Sequence, residues 1–328
     1  MDASTFTRLR RNRALISNTY TKVPGVPSEI VMERAVGRQA FIQEKKLVQE
    51  CCNPPEINYY VPFQINFLNG DDWEESTITL TFGCKGYIEF VLVDIPTSSI
   101  ISSSIVFRFN SQNNEFTYSI PYATSTHRYI LRLFLETDSS PLTDVTVSGV
   151  TVRRVTSFGN SSPGIYGSLD VSQCPKLQIL DIAGSINLTS VNLGSPKTLL
   201  NTVFASASGI TNLDVSGCTS LSLLDMLNCP SLESIDASGC TSLENLIAYN
   251  CPLLDDVNAA NCNPVARIDL ASCGFTTATA NSKFANYLLA GPNPATGGII
   301  ILSGQEIEIV NPSNLYTLST YGWDIDNS

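Results

Sequence analysis

Histidine is almost missing from this sequence, since His127 is the only one in 328 residues. General acid–base schemes built on imidazole therefore lose their usual carrier near neutral pH. Zinc finds neither the Cys-x-x-Cys pairs nor the added histidines that it asks for. Nucleophile, phosphate-loop and paired-histidine signatures are absent too. The adjacent carboxylates Asp71-Asp72, Glu74-Glu75 and Asp255-Asp256 have no partner at catalytic spacing and read as solvated turns. The sequence thus points to no enzyme, no cofactor and no metal. It also has no apolar run of the roughly 18 residues that a membrane span needs, and no apolar signal core at its start. A soluble protein without a membrane span, not exported by an N-terminal signal, is expected.

Cations are scarce and unevenly placed. Residues 1–50 hold nine Lys/Arg against five Asp/Glu, a balance of +4, so the remainder carries −15 of the total −11. The acidic body should repel nucleic acid, whose binding needs clustered cations. Arg8, Arg10, Arg11 and Arg13 form the one basic cluster. It is either an anchor for an acidic partner or a solvated helix face.

Residues 1–55 read as a helical arm broken at Val23-Pro24-Gly25-Val26-Pro27 and stopped at Asn53-Pro54-Pro55. From 56 to 158, short β-branched and aromatic runs alternate with turn residues: Tyr59 to Phe67, Thr77 to Phe82, Tyr87 to Val93, Ile105 to Phe109, Phe116 to Ile120, Tyr129 to Leu135 and Val145 to Val155. About seven strands at this spacing predict an antiparallel β-sandwich. Alternation in Thr77 to Phe82 buries Ile78, Leu80 and Phe82 and leaves the threonines wet.

Repetition is the strongest signal. Cys218, Cys229, Cys240, Cys251, Cys262 and Cys273 follow one another at intervals of 11, and Cys174 lies 44 before Cys218. Ser-Gly-Cys-Thr-Ser-Leu recurs at 216–221 and 238–243, so the full unit is 22 residues, two half-units of 11. Each half-unit reads L-x-x-L-x-φ-x-x-[C/S/P/A], with φ apolar. This spacing resembles the leucine-rich repeat family, which implies stacked coils with short strands and alternate residues inward. The half-length unit departs from the commoner pattern and implies a flattened, two-faced solenoid over 159–280. Residues 281–328 are expected to close it, with Lys283 to Leu289 as helix and Gly298 to Leu302 as strand. Their closing string, with Tyr321-Gly322-Trp323-Asp324, resembles the C-terminal cap of repeat proteins from bacteriophages and Bacteroidetes-type bacteria. The fold class is thus mostly β: helical arm, antiparallel β-sandwich, leucine-rich repeat β-solenoid and cap.

In stacked coils, Cys218, Cys240 and Cys262 make one ladder and Cys229, Cys251 and Cys273 another. Parallel neighbours have poor disulfide geometry, and small apolar thiols suit a tight inner turn. Ten thiols, with Cys51-Cys52 the one pair placed to link two chains, suggest assembly in a reducing compartment. One solenoid face carries the regular polar ladder Asn192, Asp214, Asp236 and Asn258. The other carries Ile179, Val203, Leu223, Asp225, Leu227, Asn245, Ile247, Tyr249 and Arg267, irregular and apolar where solvent is expected. Such a patch marks either a partner face or a surface over which the sandwich or cap folds.

The start Met1-Asp2-Ala3-Ser4 with Thr7-Arg8-Leu9-Arg10-Arg11 resembles N-termini of virion-associated proteins of large DNA viruses. That resemblance implies a virion structural or attachment protein, assembled in host cytoplasm as a homo-oligomer or part of a larger assembly. Its arm would meet other virion proteins, and its solenoid a host-surface protein or glycan. Two alternatives stay open: a surface or secreted repeat adhesin of a Bacteroidetes-type bacterium, displayed at the cell surface, and a glycan-binding sandwich using Tyr59, Tyr60, Trp73 and Tyr87 as stacking platforms.

Overall fold

The chain is mostly β, with several sheets and a long one in which most strands run parallel. The computed structural model describes residues 59–67, 77–82, 86–94, 97, 99–109, 114–119, 127–136, 142–149, 152–157, 165–262, 265–290 and 298–328. The arm with Arg8, Arg10, Arg11 and Arg13, the pair Cys51-Cys52 and Trp73 lie outside the described residues. Residues Tyr60–Ser328 form one compact unit.

Eight strands come first: β1 (Tyr59–Phe67), β2 (Thr77–Phe82), β3 (Gly86–Asp94), β4 (Ser99–Phe109), β5 (Asn114–Ser119), β6 (His127–Glu136), β7 (Leu142–Ser148) and β8 (Val152–Ser157). They divide between two sheets, ordered β8-β1-β6-β3-β4 and β7-β2-β5. The pairs β1/β8, β3/β6, β3/β4, β2/β5 and β2/β7 are antiparallel. The run Val145 to Val155, which reads as one strand, is two. Gly149 turns the chain, with the Val152 N–H donating to its carbonyl at 3.3 Å, and sends β7 and β8 to different sheets. Only the Ser148-Gly149 pair marks that break, and β-branched residues on both sides of it conceal it.

Both sheets then continue in parallel. β9 (Ile165–Gln173) joins β7, and β10 (Ile179–Asp181) joins β8. There follow β11 (Leu188–Asn192), β12 (Thr202–Phe204), β13 (Asn212–Asp214), β14 (Leu223–Asp225), β15 (Ser234–Asp236), β16 (Asn245–Ile247), β17 (Asp256–Asn258) and β18 (Arg267–Asp269). Even-numbered members extend the first sheet, β11 ends the second, and β13-β15-β17 form a third. Leu224 pairs with Leu246 and Leu246 with Ile268, and Leu213 with Ile235 and Ile235 with Val257, so each row repeats at the 22-residue period. Inward residues of all three sheets belong to one core, from Ile65 and Leu80 through Leu169, Leu180 and Leu213 to Trp323. Burying each such Leu or Ile contributes about 1.5–3 kcal/mol. A single unit cannot collect that without neighbours above and below.

The corners repeat as well. The Asp214 carboxylate accepts the Ser216 N–H at 2.9 Å, Gly217 takes φ +68°, and the Cys218 N–H closes the turn on the Val215 carbonyl at 3.1 Å. Asn228, Asn250 and Asn261 hold the same left-handed backbone at φ 57–59°, which asparagine tolerates better than other non-glycine residues.

The C-terminal segment begins with α1, built of Thr277–Thr279, a π-helical stretch Ala280–Ala285 and Asn286–Ala290. It starts six residues before the expected Lys283, because Thr276 and Thr279 cap each other reciprocally. β19 (Ile299–Ile301), α2 (Asn314–Thr320) and β20 (Asp324–Asp326) follow, and the two strands complete a twelve-stranded sheet.

Candidate functional site

The cysteines serve the backbone. Cys240 donates its thiol to the Val215 carbonyl at 3.1 Å and Cys262 to Ala237 at 3.0 Å. On the other side Cys229 donates to Ala205, Cys251 to Met226 at 3.1 Å and Cys273 to Ala248 at 2.9 Å. Each acceptor opens the corner of the preceding unit, so each of these five thiols ties its unit to the one before. Cys218 is buried on the first file, and Cys273 alone among the described thiols keeps partial exposure. Cys174, buried at the start of the first file, donates to Val147 at 3.3 Å.

Where the period is broken, other side chains fill in. Ser185 and Ser208 hold the thiol position ahead of Cys229, with Ser185 donating to Ser157 at 2.7 Å. After Cys273 the position belongs to Gln305, whose amide donates to the Leu270 carbonyl at 2.7 Å and accepts the Phe275 N–H at 3.0 Å. Pro196 interrupts the first file, and the next residue, Lys197, is 2% exposed with its ammonium donating to the Ser172 carbonyl at 2.6 Å. Gln305 escaped the sequence pattern because α1 and the loop after it are inserted before that position. Lys197 escaped it because a lysine in an otherwise polar turn carries no periodic signal.

Burial pushes the Cys174 thiol up to about 12 and the Cys262 thiol to about 11, and it raises Cys218 and Cys240 in the same direction. Protonated thiols of this kind are poor nucleophiles. Cys273 moves the other way, lowered chiefly by its hydrogen bond with Cys251. Burial also lowers Lys197. For Asp170 burial alone would raise the carboxyl, but hydrogen bonds from the Ser172 N–H and hydroxyl and from Asn192 outweigh it and hold the group low. Among the described residues no group of three or more His, Cys, Asp or Glu is placed to hold a metal ion.

The outer face of the twelve-stranded sheet has two rows. Strand pairing sets Arg154, Ile179, Thr202, Leu223, Asn245, Arg267, Ile299 and Asp324 side by side. The second row is Thr156, Asp181, Phe204, Asp225, Ile247, Asp269, Ile301 and Asp326. Water reaches only one end. Ile179 and Leu223 are 3% and 2% exposed, so these two residues leave the candidate partner face, and Val203 points into the core. The period of two tells which side of a strand a residue takes, not whether that side meets solvent.

At the far end Arg267 is exposed, Ile299 is 41% exposed, and Ile247 and Ile301 are partly so. Tyr249, two residues beyond Ile247, is 43% exposed and stands beside the half-buried Leu227 of the unit before. Arg267 leans on Asp269 at 2.7 Å, which leaves its guanidinium half in solvent. The accessible face is therefore Leu227, Ile247, Tyr249, Arg267, Ile299 and Ile301. Ile299 and Ile301 sit in an unbroken isoleucine run that reads as core, and only the register separates them from the buried Ile300.

At the covered end, Arg154 on β8 and Asp181 on β10 form a buried ion pair at 3.0 Å. In the antiparallel part Tyr87 is buried and stacks on Phe134, with centroids 4.6 Å apart, so it offers no platform for a sugar ring. The side chains of Tyr59 and Tyr60 lie outside the described residues. No family model, curated protein or solved structure matches this chain.

Proposed function

We propose that this chain is a non-enzymatic, virion-associated structural or attachment protein. In this reading its 22-residue units form a leucine-rich repeat solenoid closed by a C-terminal cap. The strands ahead of the solenoid form a β-sandwich, and the basic arm docks on the particle. The observation that carries the reading is what the reactive side chains are used for. Thiols tie each unit to the one before it, and the corner Asp and Asn residues accept the N–H two positions on. Groups that chemistry would employ are spent on holding a fixed pitch.

Such a body is a rigid spacer, and what it offers to a partner is the face of Leu227, Ile247, Tyr249 and Arg267. A mixed aromatic, aliphatic and cationic patch suits a protein partner, because Tyr and Arg are the side chains that anchor interfaces. The arm, with Arg8, Arg10, Arg11 and Arg13, suits an acidic neighbour in an assembly.

Mass spectrometry of purified particles and of culture supernatant tests the assignment. The chain should be found in particles, and removal of residues 1–50 should abolish its incorporation while the body stays folded. Incorporation of the truncated chain would refute the anchor. Recovery from the supernatant or cell surface alone would assign the chain to a bacterial repeat adhesin instead.

A further inference from the structure

We propose that the free edge of β20 docks an extended segment of a partner protein in which basic residues alternate with apolar ones. Three features meet at this edge. β20 stands last in the sheet order, and among the described residues no strand pairs with its second side. The Asp324 N–H is spent on the Gly298 carbonyl and the Asp326 carbonyl on the Leu302 N–H, so by strand alternation the Ile325 peptide groups face the open side. They are an unused donor and acceptor of the kind that strand addition satisfies.

The inward row supplies the second feature. Leu246, Ile268 and Ile300 are fully removed from water, whereas Ile325, next in register, keeps partial exposure. An apolar residue laid beside it would complete the row.

Charge is the third. Asp324 and Asp326 flank Ile325 on the outward side and are exposed, and no described Lys or Arg lies within ion-pair distance of either. Hydrogen bonds from the Ser328 N–H and hydroxyl hold the Asp326 carboxyl below its ordinary value, so it stays ionised. A strand with Lys or Arg on both sides of one apolar residue places a cation beside each carboxylate. Tyr321, 50% exposed and three residues before β20, adds an apolar ring for a longer segment.

A second copy of this chain does not fit. Edge to edge, the two Asp pairs would face each other, and like charges directly opposite are destabilising. The other end of the sheet is blunted differently, since β3 and β4 slip register at Ile88/Glu89 and again at Leu92/Val93. The inference does not depend on the particle reading.

Two labelled synthetic peptides, one alternating lysine with valine and one alternating glutamate with valine, titrated against the full chain by fluorescence anisotropy, test it. The lysine peptide should bind and the glutamate peptide should not. Asp324→Lys/Asp326→Lys should weaken the lysine peptide roughly tenfold or more. A control of equal charge change elsewhere, Glu233→Lys/Glu244→Lys, should alter binding by less than about twofold. Absence of binding, equal binding of both peptides, or equal loss in both variants overturns the proposal. Because the peptide comparison uses the unaltered chain, it decides the matter even where a variant folds poorly.

Discussion

Arg154 meets Asp181 at 3.0 Å across β8 and β10, where the antiparallel part of the long sheet becomes parallel, and both side chains are 5% exposed or less. Removing one partner of such a pair leaves an uncompensated buried charge, which costs about 3–5 kcal/mol, whereas an apolar pair of similar volume is often neutral. Asp181→Ala should therefore lower the urea midpoint sharply. Arg154→Met/Asp181→Leu should recover most of the loss. If the double variant is as unstable as the single one, packing rather than charge dominates the junction.

The thiol rungs make a second prediction. Cys240→Ala removes a buried sulfur and its bond to Val215, at a loss of about 1–3 kcal/mol. Cys240→Ser should lose less, since Ser185 and Ser208 hold the equivalent place on the other file. Under native conditions a thiol reagent should modify Cys273 before Cys218, Cys229, Cys240, Cys251 or Cys262, because Cys273 alone among the described thiols is partly exposed, and it is shifted downward. Peptide mapping after brief labelling reads the order, and early labelling of Cys240 would contradict it.

Stability should fall in alkali. Below about pH 9 the buried thiols are protonated in both folded and unfolded chains, and no linkage operates. Above it the unfolded chain ionises while Cys262 and Cys174 keep their protons up to about 11 and about 12, so folding is penalised as pH rises through that window. Lys197 and Cys273, both lowered, act in the opposite sense, but they are two groups against the raised Cys174, Cys218, Cys240 and Cys262. Urea midpoints at about pH 8 and about pH 10 should show the loss, and Cys262→Ala should make it smaller. A midpoint that rises toward alkaline pH would show that the thiols are not held protonated by burial.

Two glycines separate crowding from backbone conformation. A β-carbon at Gly209 would overlap the Ile186 carbonyl, so Gly209→Ala should cost about 1–3 kcal/mol through displaced backbone. A β-carbon at Gly239 would meet only ordinary contacts with the Gly217 backbone at 3.7 Å, but φ is +72°, where alanine costs about 1–2 kcal/mol. Gly239→Asn should be milder than Gly239→Ala, as Asn250 and Asn261 already hold that geometry. Thermal unfolding of the three variants gives the ranking, and an alanine at 209 that unfolds with the unaltered protein would refute the crowding argument.

Much of the strand pattern is legible without coordinates. β1 and β2 match the apolar-aromatic runs at both ends, and Leu80 is buried while Thr79 is not. The single-strand reading of Val145 to Val155 fails because β7, with Val145 and Val147 buried and Thr146 and Ser148 half-buried, runs into an equally β-branched segment, and only the short Ser148-Gly149 pair shows the turn between them. β4 runs six residues further back than its apolar part, since Ser99 to Ser104 carries a strand edge that composition alone reads as loop. α2 left no trace in the pattern, because seven residues with two buried leucines give less than two helical turns of periodicity.

The 11-residue interval of the cysteines settles by itself that successive units place like residues in like positions, because only a fixed advance per unit can keep one spacing through so many repeats. Which of those positions meets water is another matter. Ile179, Leu223 and Ile299 share one outward row and one chemical character, yet two are buried and the third is open. Solvent exposure depends on everything packed over a surface, much of it distant along the chain, so the accessible face, the Gln305 rung and the unfinished edge at Ile325 could be decided only by the assembled structure.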